Sequence, residues 1–271
     1  MAWLTDPFAL PFLQRALLGG SLAAVICAVV GTWVVVRGMA FLGEAVAHGM
    51  LPGVAVAALA GWPLLVGAAA SAGVMSVGVG VVARRTRLSS DTATGLLFVG
   101  MLSLGVVIVS RSRSFATDLT AILFGDVLAI QTGELTTLAV ALLLILAVCA
   151  VSHRAFVALA FDRRTATTLG LRPDVANVVL GLLVTAAIVA SFQALGSLLV
   201  VALLLAPAAA ARQWTHRVPS TMALGAAFGV TAVVAGLLLS WHASTAGGAS
   251  IAGCSVALVA VSVAVRAAVP R

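Results

Sequence analysis

The chain has 271 residues, of which 62% are hydrophobic and 8% charged, and its formal net charge is +7. A soluble domain carries about a quarter charged residues, so most of this surface faces something other than water, which excludes a soluble enzyme. All the basic residues are arginine, and they stand singly or in small groups between apolar runs, not on a basic face of the kind that binds nucleic acid.

Apolar runs near the ~20 residues that span a hydrocarbon core recur along the whole sequence. Only helices or closed barrels satisfy their backbone in lipid. The runs are continuous and rich in Ala, Leu, Val and Gly, so helices are expected and the alternating segments of a barrel are not. The N-terminus lacks a basic stretch followed by a small-residue cleavage site and does not read as a cleaved signal peptide. The expected fold is all-α, a polytopic bundle with spans near 14–36, 40–60, 63–83, 92–110, 133–152, 175–192, 195–212, 221–241 and 249–267. A short stretch at 119–130 contains Gly125 and Asp126 and reads as a broken or re-entrant helix. That gives eight or nine spans and one transmembrane domain over 1–271.

Arginines follow the first, third, fifth, seventh and last spans, whereas the alternate ends are nearly bare. By the positive-inside rule the N-terminus lies outside and the C-terminus in the cytoplasm. Arg111 and Arg113 break the alternation. Cys27, Cys149 and Cys254 sit in separate apolar stretches without ligand spacing, and read as small buried hydrophobes.

Within the second span, Glu44 and His48 are four apart and share a helix face. An ionisable group at membrane depth costs a few kcal/mol and is a functional candidate. Pro52 follows His48 by four residues, so it cannot donate to the His48 carbonyl and should kink the helix. Gly43, Gly49 and Gly53 leave room for close approach. Two readings stay open: a site handling a metal or another cation, and a Glu–His pair that only joins two helices. Pro207 should kink the seventh span. His153, His216 and His242 read as solvated border residues. The cytoplasmic connector FVALAFDRRTATTLGLRPDVAN has an N-cap candidate at Asp162 and a stop at Gly170, which suits one short helix or a simple turn. Without lysine there can be no P-loop, and without Glu directly after His there is no HExxH metalloprotease signature.

Several stretches together resemble the membrane permease of the bacterial metal-type ABC importers. They are RGMAFLGEAVAHGMLPGVA, SSDTATGLLFVGMLSLGVVIVS, DLTAILFGDVLAI, LAFDRRTATTLGL and LGSLLVVALLLAPAAAAR, in that order along the chain. The resemblance implies a multi-pass protein of the bacterial cytoplasmic membrane with a type II importer-like fold. It implies a homodimer of permeases, a separate ATP-binding subunit and a metal-binding solute-capture protein. The transported ion would be Mn²⁺, Zn²⁺ or Fe²⁺, manganese favoured, with Glu44 and His48 as its ligands and no permanently bound cofactor. Where the family usually has aspartate four residues before the histidine, this chain has Glu44. Residues 159–171 would be the coupling segment, with Asp162, Arg163, Arg164, Thr165, Ala166 and Gly170 at the ATPase; the wording only loosely follows the importers' EAA-x-x-x-G pattern. The rival functions are an ion-coupled secondary transporter and an ABC permease for chelated iron or a vitamin.

Overall fold

The spans of the sequence become helices in a computed structural model that describes residues 9–110, 125–168 and 170–268. We number them α1 (Pro11–Val36), α2 (Ala40–Gly49), α3 (Leu51–Ala60), α4 (Leu64–Arg85), α5 (Ser90–Ser110), α6 (Thr132–Phe161), α7 (Arg163–Thr168), α8 (Pro173–Leu195), α9 (Ser197–Arg212), α10 (Val218–Ala243) and α11 (Gly247–Ala268). A single 3₁₀ turn, Val127–Ala129, precedes α6, and no strand occurs among the described residues. Among the described residues eight helices, with α2 and α3 taken together as one, are long and apolar enough to cross a membrane, and α9 is a shorter apolar helix. Many large apolar side chains remain exposed, among them Leu143, Leu144 and Val151 of α6. In water this would be a liability; in a bilayer it is the lipid-facing surface.

Three boundaries depart from the sequence expectation. Helix α6 does not stop near residue 152 but continues to Phe161, so His153 and Arg154 are helical. Thirty residues rise ~45 Å, well beyond the ~30 Å hydrocarbon core, so one end must project. The second span breaks at Met50, between α2 and α3, with Pro52 in the first turn of α3, where a missing N–H is tolerated. Of the stretch expected at 119–130, residues 119–124 lie outside the described residues, as do Arg111 and Arg113. Its described part is the 3₁₀ turn, where the Asp126 side chain accepts from the Leu128 N–H at 3.2 Å.

The chain divides into two compact units. The first comprises Met1–Val35, Thr120–Leu144 and Ala190–Arg271. Here α1 is apolar on all sides and runs through the core with Ala16, Cys27, Val30 and Trp33 buried. Gly31 admits the backbone carbonyl of Leu204, which any Cβ at that position would strike. Helix α9 continues past Pro207 to Arg212. On α10, Gly225 and Gly229 leave the room in which Pro207 lies against that helix. The second unit comprises Val36–Leu119 and Ile145–Val189. Its tightest crossing joins α3 to α4, where a Cβ on Gly53 would collide with the Gly67 carbonyl and one on Gly67 with the Gly53 carbonyl. Glycine at both positions is what lets the two backbones touch.

Candidate functional site

Glu44 lies near the middle of α2 and His48 in its last turn. Along the axis they stand ~6 and ~12 Å from the start of the second span. Gly43, Ala45, Val46, Ala47 and Gly49 are all buried, whereas Glu44 is exposed and His48 half-buried. The helix therefore packs its small residues and leaves the carboxylate on an open face. The His48 ring meets Phe98 of α5 edge-on with centroids 5.8 Å apart, and Phe98 in turn lies 6.0 Å from Phe41. An aromatic edge against the imidazole restricts its rotation on one side.

The backbone at the break is engaged. The His48 carbonyl, expected to be freed by Pro52, faces the Met50 N–H. The next carbonyl, that of Gly49, accepts a hydrogen bond from the Ser71 hydroxyl of α4 at 2.7 Å in a buried position. Met75 lies one helical turn further along α4, and its Cγ would be 2.9 Å from a Cβ on Gly49. Sequence reading missed Ser71. A lone serine in an apolar run carries no signal when its partner is 22 residues away. Among the described residues no group of three or more His, Cys, Asp or Glu side chains is placed to hold a metal ion. One copy of the chain thus brings two such side chains, one with oxygen and one with nitrogen donors, to this face.

Among the described residues the other acidic side chains stand at the ends of elements. Asp91, Glu134 and Asp174 lie in the first turns of α5, α6 and α8, where a negative charge favours the helix dipole. The Glu134 carboxylate also accepts from the Gln131 N–H at 3.0 Å, half of a capping box. At the end of the first span Arg37 donates to Asn177 of α8 at 3.1 Å.

The connector after the fifth span folds into α7, a six-residue helix. The Asp162 carbonyl accepts from the Ala166 N–H, which starts the helix where the N-cap candidate stood. At its other end the Leu171 N–H bonds the Ala166 carbonyl, the Gly170 N–H bonds that of Thr167, and Gly170 has φ +71°. This is a Schellman closure with glycine in the left-handed position. A short helix, not a simple turn, is what the connector forms. The side chains of Arg163, Arg164 and Thr165 lie outside the described residues.

Comparison with known proteins adds a family context. The family model described as "ABC 3 transport family" matches residues 9–266. A manganese transport system membrane protein, MntC, from Halalkalibacterium halodurans is 36% identical over 241 residues, 89% of this chain and 82% of the relative. The chelated iron transport system membrane protein YfeD of Yersinia pestis is 35% identical over 251 residues, 92% of this chain and 83% of the relative. Among solved structures, PsaBC from Streptococcus pneumoniae in complex with Fab superposes with a TM-score of 0.85 at 28% identity, covering 96% of this chain and 94% of that one.

Proposed function

Because this chain belongs to the ABC 3 transport family, we propose that it is the membrane permease of an ATP-driven importer of divalent transition metal ions, with Glu44 and His48 on the ion's path. The whole of 1–271 acts as one permease domain of the cytoplasmic membrane, and residues 159–171 serve as its coupling segment. The observation that carries the site is the exposure of Glu44 within an apolar span, one turn from His48 on the same face. A carboxylate left to lipid there would cost a few kcal/mol. A passing cation, or an aqueous path that carries one, offsets that cost.

Two ligands are too few for a transition metal without further donors. A second copy of the chain about a twofold axis would bring the set to two oxygens and two nitrogens. Mixed carboxylate and imidazole suits Mn²⁺, Fe²⁺ or Zn²⁺ and disfavours Cu⁺, which prefers thiolate and thioether. Manganese is the favoured cargo, supported by the manganese transport named in relatives such as MntC. Iron is second, on the name of YfeD. A bare site of this kind binds Zn²⁺ more tightly than Mn²⁺, so selectivity falls to a solute-capture protein that delivers the ion. ATP hydrolysis belongs to a partner subunit, since a chain with no lysine has no P-loop. The short helix α7, closed at Gly170, is the surface on which that subunit docks. Dependence on an added ATPase distinguishes this reading from an ion-coupled secondary transporter.

The test is uptake of radioactive Mn²⁺ and Zn²⁺ by cells lacking other importers, with the membrane level of each variant measured. Glu44→Ala and His48→Ala should lower uptake to background at normal membrane levels, because losing an ionisable group at membrane depth eases insertion. Glu44→Gln should behave like alanine, and Glu44→Asp, the usual family residue, should keep transport. Wild-type uptake by both alanine variants would remove the pair from the ion's path.

A further inference from the structure

Helices α9 and α11 of the first unit are joined at one end by a short polar chain. The indole N–H of Trp214 donates to the Ser262 hydroxyl at 2.7 Å, and that hydroxyl donates to the Ala210 carbonyl at 3.2 Å. With its N–H committed, the indole offers its ring face, and the Arg266 guanidinium carbon lies 5.8 Å from the ring centroid. Arg266 is half-buried, so it is held by the pair and not merely extended into water. Arg212, His216 and Arg217 are exposed in the same loop, where α9 turns into α10.

Among the described residues of its own unit, this cationic end has no acidic counterweight. Among the described residues of the unit the carboxylates are Asp126 and Glu134. Leu128, two residues from Asp126, approaches Gly247 at the start of α11. Leu135, next to Glu134, reaches Gly19 together with Ile130, so Glu134 shares that end. Arg266 lies in the last turn of the 22-residue α11, ~28 Å away by helical rise. Beside the cluster, Val261, Val263 and Val265 of α11 are exposed apolar residues that suit acyl chains.

An ordinary cytoplasmic loop would also be basic. Such a loop does not need an arginine fixed over an indole whose own donor is spent. We propose that Trp214 and Arg266, with Arg212 and Arg217, form a docking site for the phosphate headgroup of an anionic phospholipid in the cytoplasmic leaflet. The indole sits at headgroup depth and presents the guanidinium to the phosphate, while the exposed arginines add charge that matches the lipid's. The site does not depend on what the chain transports.

Native mass spectrometry of the full-length protein, purified in detergent with its partner subunits and titrated with phosphatidylglycerol or phosphatidylcholine, tests this. The wild type should retain phosphatidylglycerol preferentially. Arg266→Gln and Arg212→Gln should each reduce that retention about fivefold, the effect of one basic residue at an anionic surface, and Arg87→Gln should not. Arg212 is exposed, so its variant stays informative even if Arg266→Gln fails to fold. Equal retention of the two lipids, or unchanged retention in both variants, would overturn the site. Loss of the ATPase subunit from Arg212→Gln with lipid retention intact would overturn it too, and assign the patch to protein docking.

Discussion

Pro52 and Pro207 both lie within apolar spans, yet only one stands where a helix breaks. Pro207 is buried inside α9, which runs on past it, and Gly225 and Gly229 of α10 leave room for it. The turns before it, Val200 to Ala206, hold no ionisable residue. Pro52 stands just after a break, and the two turns before it carry a carboxylate and an imidazole. Proline in a span is therefore not itself a mark of function. It becomes one when the altered backbone is tied off elsewhere and the preceding turns expose groups that lipid rejects. At Pro52 the tie is the Ser71 hydroxyl on the Gly49 carbonyl.

The strongest way to break this comparison is to separate the helices that carry it. Gly53→Ala places a methyl against the Gly67 carbonyl, which cannot yield as a side chain can. It should destabilise the protein by about 1–3 kcal/mol and reduce folded yield in a thermal-shift or fluorescence-detected size-exclusion assay. Gly225→Ala meets only Ala28 and the α9 backbone at 3.5 Å or more and should be near neutral. Equal losses would mean that the two crossings do not differ as described.

Removing the hydrogen bond tests the tie. Ser71→Ala leaves a buried carbonyl short of a donor, at a cost of about 1–3 kcal/mol. Because Gly49 adjoins His48, metal uptake should fall at unchanged membrane level, while Ser71→Thr should restore it. A drop in uptake matched entirely by a drop in membrane level would reduce Ser71 to a packing role.

The proline exchange gives the smallest expected effect on stability and the sharpest contrast. Pro52→Ala gives the chain an N–H able to reach the His48 carbonyl, so α2 and α3 can fuse into one helix. Pro52 already occupies a first-turn position, so stability should change by less than about 1 kcal/mol, yet uptake should fall as His48 turns away. Pro207→Ala should leave uptake at the wild-type level. Similar uptake by both variants would show that the break has no part in presenting the pair.

Much of this was legible in the sequence because membrane helices are written in long apolar runs. Apart from the C-terminal end of α6, span ends from Ser90–Ser110 to Gly247–Ala268 fall within three residues of the expected ones. The i, i+4 relation of Glu44 and His48 and the stop at Gly170 are equally local. Features set by distant partners were not legible. Residues Ser152, His153 and Arg154 look like a loop because they are polar, but helix α6 carries them onward. Asp126 reads as part of a broken helix, and the cap that its side chain gives a 3₁₀ turn is not visible in the sequence. The exposure of Glu44 depends on which face of α2 its neighbours cover, and that is decided by α4 and α5, not by the turn itself.

The contact between Gly53 and Gly67 also bears on how this sequence can change over generations. Each residue occupies space that the other's missing side chain leaves open, so a substitution at one cannot be rescued by a substitution at the other. Every alternative adds atoms to the same narrow gap. Two positions fourteen residues apart are thereby locked together, and lineages can drift freely around them only while both stay glycine. The span bearing Glu44 and His48 keeps its seat on α4 through a pair of residues with no chemistry of their own.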